Sequence, residues 1–219
     1  MKIAGIQKNS FVDFPGKVAA VVFTPGCNMN CYYCHNSGII NENKVETILD
    51  SEKTLEFLER RKRFLDGVVI SGGEPTLQPG LRQFILRVKE LGYPVKLDTN
   101  GTNPKVLQSL IDEKLLDYVA MDIKATPDKY DEICGRKIEI GCIEQSVELL
   151  MAGKVDYEFR TTFVPELEYG DILRIGKRIK GARLYTLQKY RSDHVREEYR
   201  LKPTYTDSYI IRTAKMLNE

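Results

Sequence analysis

Three cysteines, Cys27, Cys31 and Cys34, fall within eight residues in the segment Gly26-Cys27-Asn28-Met29-Asn30-Cys31-Tyr32-Tyr33-Cys34-His35-Asn36. The spacing C-x3-C-x2-C lets three thiolates on one short loop turn inward onto a single inorganic centre. Most iron–sulfur clusters are held by four cysteines. No fourth lies nearby, so one iron of a four-iron cluster bound here lacks a protein ligand. An open coordination position marks a catalytic metal rather than a structural one. A structural zinc site of Cys27, Cys31, Cys34 and His35 is the alternative, although two adjacent residues strain to reach one tetrahedral ion. A disulfide with a spare thiol is a third reading, and it belongs to oxidising compartments.

These residues need a frame. Six short β-branched runs are expected as strands, at 18–24, 67–71, 94–99, 118–123, 155–164 and 183–187. The run Val68-Val69-Ile70 is continuously apolar and ends in Ser71-Gly72-Gly73, as a buried parallel strand does. Helical periodicity fills the intervals. Leu81, Phe84, Ile85 and Val88 repeat at i, i+3, i+4 and i+7, with Gly92 placed as a C-cap. Similar stripes run through Val106–Ile111, Ile143–Met151, Ile172–Ile179 and Ile210–Leu217. The stretch 51–65 is amphipathic, with Asp50 or Ser51 as its N-cap. Strands alternating with helices imply βαβ units and a parallel sheet. Six units of roughly 36 residues match the repeat of a βα barrel but stop two short of eight. The expectation is an α/β fold, a partial (βα)6 barrel open on one side. It is a single domain over residues 1–219 with a short N-terminal extension and a C-terminal helix.

In such folds chemistry gathers at the C-terminal ends of the strands. The unusual residues sit there. Cys27 follows the first run, Gly72-Gly73-Glu74-Pro75 the second and Asp98-Thr99-Asn100-Gly101 the third, and Asp122 and Lys124 close the fourth.

Composition narrows the classes. The chain has 219 residues and a formal charge of +2, too balanced for a dedicated nucleic-acid protein. No apolar run approaches the roughly 20 residues that span a bilayer, so no membrane association is expected. The N-terminus is too polar for a secretory signal. Five cysteines are too few and too unevenly placed for a disulfide scaffold. The expected location is cytoplasmic.

The cysteine loop resembles the cluster motif of radical S-adenosylmethionine (radical SAM) enzymes, C-x3-C-x-aromatic-C, with Tyr33 as the aromatic. Gly72-Gly73-Glu74-Pro75 resembles that family's GGE motif in order and separation. Cys34-His35-Asn36, preceded by Asp13-Phe14-Pro15-Gly16, resembles the activases of glycyl radical enzymes, and among them those of anaerobic ribonucleoside-triphosphate reductase. Activases of pyruvate formate-lyase tend to carry Asp-Gly-Pro-Gly-Ile-Arg near the N-terminus, where this chain has Asp-Phe-Pro-Gly-Lys-Val. The eight-cysteine ferredoxin-like insert of some activases is missing.

The resemblance implies a [4Fe-4S] cluster on Cys27, Cys31 and Cys34, with S-adenosylmethionine chelating the open iron. One electron then breaks a carbon–sulfur bond to give methionine and a 5′-deoxyadenosyl radical. The substrate it implies is a glycyl radical enzyme, and the electron donor a flavodoxin- or ferredoxin-type protein. Gly72 and Gly73 are expected to let backbone approach the methionine end, with Glu74 near its amino group. Asp98, Thr99 and Asp122 are expected beside its carboxylate, where related activases bind a monovalent cation and where Lys124 could also supply charge. The same three charged residues could instead form an ion-pair network at the barrel rim.

Other residues have a reading of their own. Arg160 lies inside a strand, so it must be paired or line a cavity. It contacts cofactor or substrate peptide, or it pairs with Glu158 or Asp156. Tyr33 and His35 stand beside the cluster ligands, and His194 is read as an exposed loop residue. Gln188 is a weaker candidate for nucleoside or partner contact. Cys134 and Cys142 read as small buried hydrophobes. Residues 174–202 hold ten Lys/Arg against three acids, either a docking face for an acidic partner or a solvated helix face. Two rival functions stay open: a small radical SAM enzyme acting on a pterin or deazapurine precursor, and a non-catalytic iron–sulfur or zinc carrier.

Overall fold

The computed structural model describes residues 1–195, 197 and 202–217, without the side chain of His194. The reading of His194 therefore lies outside the described residues, as do Arg196 and Arg200 of the basic run.

Seven strands form one sheet in chain order: β1 (Gly5–Phe14), β2 (Lys17–Thr24), β3 (Gly67–Gly72), β4 (Val95–Thr99), β5 (Tyr118–Asp122), β6 (Asp156–Phe163) and β7 (Tyr185–Lys189). β1 and β2 form an antiparallel hairpin, and every later neighbour pair is parallel. β1 and β7 do not pair, so the sheet is a half-barrel with an open seam. The expected α/β partial barrel is the observed fold. Helices α1 (Ser51–Arg60), α2 (Leu81–Glu90), α3 (Pro104–Asp112), α4 (Tyr130–Cys134), α5 (Ile140–Met151), α6 (Tyr169–Arg178) and α7 (Asp207–Met216) complete the βα units.

Local chemistry sets these boundaries. Asp50 caps α1 by accepting the Glu52 N–H at 2.8 Å. α1 stops at Arg60, short of the expected 65, because the chain turns over residues 61–64 before Leu65 re-enters the core. β7 begins at Tyr185, two residues later than expected, because Arg183 faces outward to pair with Asp156.

The first strand was not expected. Residues 5–14 pair in the sheet instead of forming an extension outside it. Their pattern hides the strand: Phe11 and Val12 are adjacent and both exposed, and the register shifts between Gln7 and Ser10 and again between Ser10 and Phe14. Bulges of this kind destroy the two-residue alternation that reveals a strand.

Two apolar cores result. The larger lies between sheet and helices and takes Val95, Leu97, Val119, Met121, Tyr157 and Phe159 from the outward faces of β4–β6. The smaller fills the base of the lumen with Phe14, Ala19, Val21 and Val69, flanked by Phe23 and Tyr118. Alternation therefore turns Lys96, Asp98, Asp122, Glu158 and Arg160 into the lumen. The lumen is apolar on its β1–β3 side and charged on its β4–β6 side. Among the described residues no helix is long and apolar enough to cross a membrane.

Several cations of the basic run are ion-paired. Arg174 pairs with Asp128 and Asp171, Arg178 with Glu144, Lys189 with Asp207, and Lys202 with Glu166.

Candidate functional site

The cysteine loop leaves the C-terminal end of β2 and is tied down on three sides. Gly26 and Cys27 donate backbone N–H groups to Ile39 and Ile40 at 2.8 and 3.0 Å. Asn36 Nδ2 donates to the Gly72 carbonyl at the end of β3 at 2.8 Å. Asn28 Nδ2 donates to Thr102 Oγ1 at 2.8 Å, and Asn100 Nδ2 donates to Asn28 Oδ1 at 2.9 Å and lies 3.9 Å from Cys27 Sγ. From below, the Asn30 N–H donates to the Cys134 carbonyl at 2.8 Å. Asn28, Asn36 and Asn100 are positioning residues that sequence reasoning missed. Their partners lie in other loops; Asn36 stands out locally only as part of Cys34-His35-Asn36, and Asn100-Gly101 reads as a turn.

Gly72 and Gly73 meet protein backbone. Gly72 has φ +119°, and a Cβ there would overlap Thr24. A Cβ on Gly73 would overlap the carbonyl of Gly26. The Gly73 and Glu74 N–H groups donate to Thr24 and Gly26 at 2.8 Å each. The two glycines thus let the β3 turn press against the root of the cysteine loop, as a plain Gly-Gly βα turn does.

The reading of Glu74 is corrected. Its side chain is fully buried, and both carboxylate oxygens are taken by the protein. Oε1 accepts from the Thr76 N–H, Thr76 Oγ1 and Thr99 Oγ1 at 3.1, 2.6 and 2.8 Å, and Oε2 accepts from the Asn100 N–H at 2.7 Å. Burial pushes its pKa up, against the four donors. Glu74 staples the β3 and β4 loops together and does not face the cavity.

One cavity of about 390 Å³ opens at the strand ends. Its lining brings together Cys27, Cys31, Cys34, Tyr33, His35, Gly73, Asp98, Thr99, Asp122, Lys124 and Arg160 from the expected set. Gly72 and Glu74 stand behind it. Gln188 lines its rim with Lys189 and Arg191, and Ser71, Asn100 and Thr162 were not anticipated there.

The charged wall is an ordered ion-pair chain. Arg160 Nε donates to Asp122 Oδ1 at 2.9 Å, and Lys124 Nζ to Asp122 Oδ2 at 2.8 Å. Lys96 Nζ donates to Asp98 Oδ1 at 2.6 Å, with Arg160 Nη1 at 3.6 Å from the same oxygen. Arg160 therefore lines the cavity and is paired, but with Asp98 and Asp122 instead of Glu158 or Asp156. Burial opposes ionisation of Asp122, yet Arg160 and Lys124 hold its pKa below the usual carboxylate range. Burial likewise opposes the charges of Lys124 and Arg160, and Asp122 overrides it.

The thiols divide. Burial pushes Cys27 up to about 11. Cys31 is pulled down to about 7, chiefly by a hydrogen bond with Cys134, whose own pKa rises in return. Cys134 is fully buried beneath the loop, and Cys142 is half-buried on α5.

The donor set fits a cluster. Among the described residues no three His, Cys, Asp or Glu side chains converge as a single metal ion requires. Three cysteines of one loop bordering one cavity supply the thiolate chemistry that iron–sulfur clusters use. Among the described residues the buried Tyr33 hydroxyl has no hydrogen-bond partner, and Tyr33 borders the same cavity. A monovalent cation fits poorly, because three of the four oxygens of Asp98 and Asp122 already carry lysine or arginine nitrogens.

Comparison with known proteins agrees with this geometry. A profile described as the radical SAM superfamily matches residues 21–179. A protein of Methanocaldococcus jannaschii, named as a glycyl-radical enzyme activating enzyme, is 39% identical over 96% of this chain and 95% of its own length. The pyruvate formate-lyase-activating enzyme of Clostridium pasteurianum is 36% identical over 58% of this chain and 54% of its own. The crystal structure of Streptococcus suis SuiB bound to S-adenosylmethionine superposes with TM-score 0.69 at 13% identity, covering 90% of this chain and 48% of that one.

Proposed function

The chain belongs to the radical SAM superfamily, among its glycyl-radical enzyme activating enzymes, and on that premise we propose that its protein substrate is an anaerobic ribonucleoside-triphosphate reductase. The observation that carries the activating role is the joining of three loop cysteines and one ion-paired wall in a single cavity under an open seam. The subgroup is supported by Cys34-His35-Asn36 and by Asp13-Phe14-Pro15-Gly16. Phe14 from that second motif is buried in the lumen base, so it marks the subgroup through packing rather than by touching a partner.

The superfamily uses a [4Fe-4S] cluster and S-adenosylmethionine, which together supply one-electron cleavage to a carbon-centred radical. Here Cys27, Cys31 and Cys34 hold the cluster. Lys124 and Arg160 present positive charge toward the methionyl carboxylate, and Asp122 fixes both of them in place. The Gly73 turn sets the backbone edge beside the cysteine loop. Tyr33 closes the cavity under Lys124, whose ammonium lies 5.8 Å from the ring centroid. The open seam admits a peptide loop, from which one hydrogen atom of a glycine Cα is removed. A flavodoxin- or ferredoxin-type protein supplies the electron.

The test is anaerobic reconstitution with iron and sulfide, followed by reductant, S-adenosylmethionine and either the reductase or pyruvate formate-lyase. The reading expects 5′-deoxyadenosine and an organic radical signal in electron spin resonance with the reductase. A signal only with the lyase overturns the partner. A product formed from a pterin or deazapurine precursor instead overturns the activating role.

A further inference from the structure

Lys96 belongs to none of the sequence motifs, yet it is among the largest fully buried side chains, with 1% of its surface exposed. A buried ammonium is costly unless it is paired. Its partner is Asp98 Oδ1 at 2.6 Å, and the Tyr118 ring lies 5.9 Å from its nitrogen. Asp98 is one of the two carboxylates where a monovalent cation was expected. The other, Asp122, has Arg160 on one oxygen and Lys124 on the second. Only Asp98 Oδ2 carries no protein nitrogen among the described residues.

Lys96, Lys124 and Arg160 share this wall with Asp98, Asp122 and the half-buried Glu158, which accepts a hydrogen bond from Thr186. Every ion pair of this wall joins one of the three cations to Asp98 or Asp122. Removing Lys96 would leave Asp98 with Arg160 alone, 3.6 Å from its oxygen, the condition under which a hard cation is recruited to oxygen donors.

We propose that Lys96 is a built-in counter-ion: a positioning residue whose ammonium fills the role of the monovalent cation, so that S-adenosylmethionine binds without sodium or potassium. This rests on the reading of the cavity as the S-adenosylmethionine site. It makes Lys96 act through Asp98, which it fixes opposite Arg160.

The experiment uses the full-length, cluster-reconstituted protein and measures S-adenosylmethionine binding by equilibrium dialysis. Ionic strength is held constant with tetramethylammonium, a cation too bulky for the site, and sodium or potassium is then titrated in. The wild type is expected to bind with an affinity unchanged within about twofold across the series, a difference well under one decade of affinity. Lys96→Met is expected to bind roughly tenfold or more weakly in tetramethylammonium, with sodium or potassium restoring the loss. Lys96→Arg keeps the charge and should stay independent of the alkali cation. Sodium NMR relaxation on the wild type, which needs no variant to fold, should show no ion immobilised at the cavity. Alkali-dependent binding by the wild type, immobilised sodium, or a Lys96→Met loss that sodium and potassium do not repair overturns the inference. Absence of S-adenosylmethionine binding in every buffer overturns the cofactor reading and this inference with it.

Discussion

Cysteines in this chain differ by position more than by type. Cys27, Cys31 and Cys34 line the cavity, whereas Cys134 lies beneath Cys31 and Cys142 sits half-buried on α5. Alanine at any of the first three should abolish four-iron loading and S-adenosylmethionine cleavage. Alanine at Cys134 or Cys142 should leave the iron content after reconstitution near wild type, as read by iron assay and visible absorption. Asp122 gives a pH prediction with a definite sign. Its folded pKa lies below the unfolded value of about 3.9, so its contribution to stability is fully present above that value and is lost as pH falls through the folded pKa. Denaturant melts from pH 5 downward, on the order of two pH units, should show a shallower loss for Asp122→Asn than for wild type. The cysteine spacing was legible because all three ligands lie in one loop. Glu74 was misjudged because two of its donors, Thr99 and Asn100, come from the next βα unit. Lys96 was invisible until the strand register showed which side of β4 faces the lumen.

Elements, not single side chains, bring the site together, and the β2 and β3 termini show how. Their close approach depends on the bareness of Gly72 and Gly73, which pack against Thr24 and Gly26. Gly73→Ala should destabilise the protein by about 3 kcal/mol or more, because the obstacle is backbone and cannot swing away. Gly72→Ala adds the strain of φ +119° to the same clash. Gly5→Ala in β1 meets nothing within 4 Å and should change stability by less than about 0.5 kcal/mol. Thermal melts of the three variants check the contrast. Strands β2 to β7 could be read from their β-branched runs. β1 could not, since its bulges and its exposed Phe11-Val12 pair leave no periodic signal.

At the scale of the molecule, the sheet is sealed at one end and open along one side. Phe14 lies 3.0 Å from the position a Cβ on Gly67 would take, and with Val21 and Val69 it fills the lumen base. A vessel with a stopper at the bottom is loaded and emptied from the top, so whatever enters first is trapped by whatever enters second. The small cofactor should go in ahead of the protein substrate and leave after it. Release of radiolabelled S-adenosylmethionine, chased with unlabelled compound, should slow once the partner protein is added, and an unchanged rate would mean a second exit through the wall.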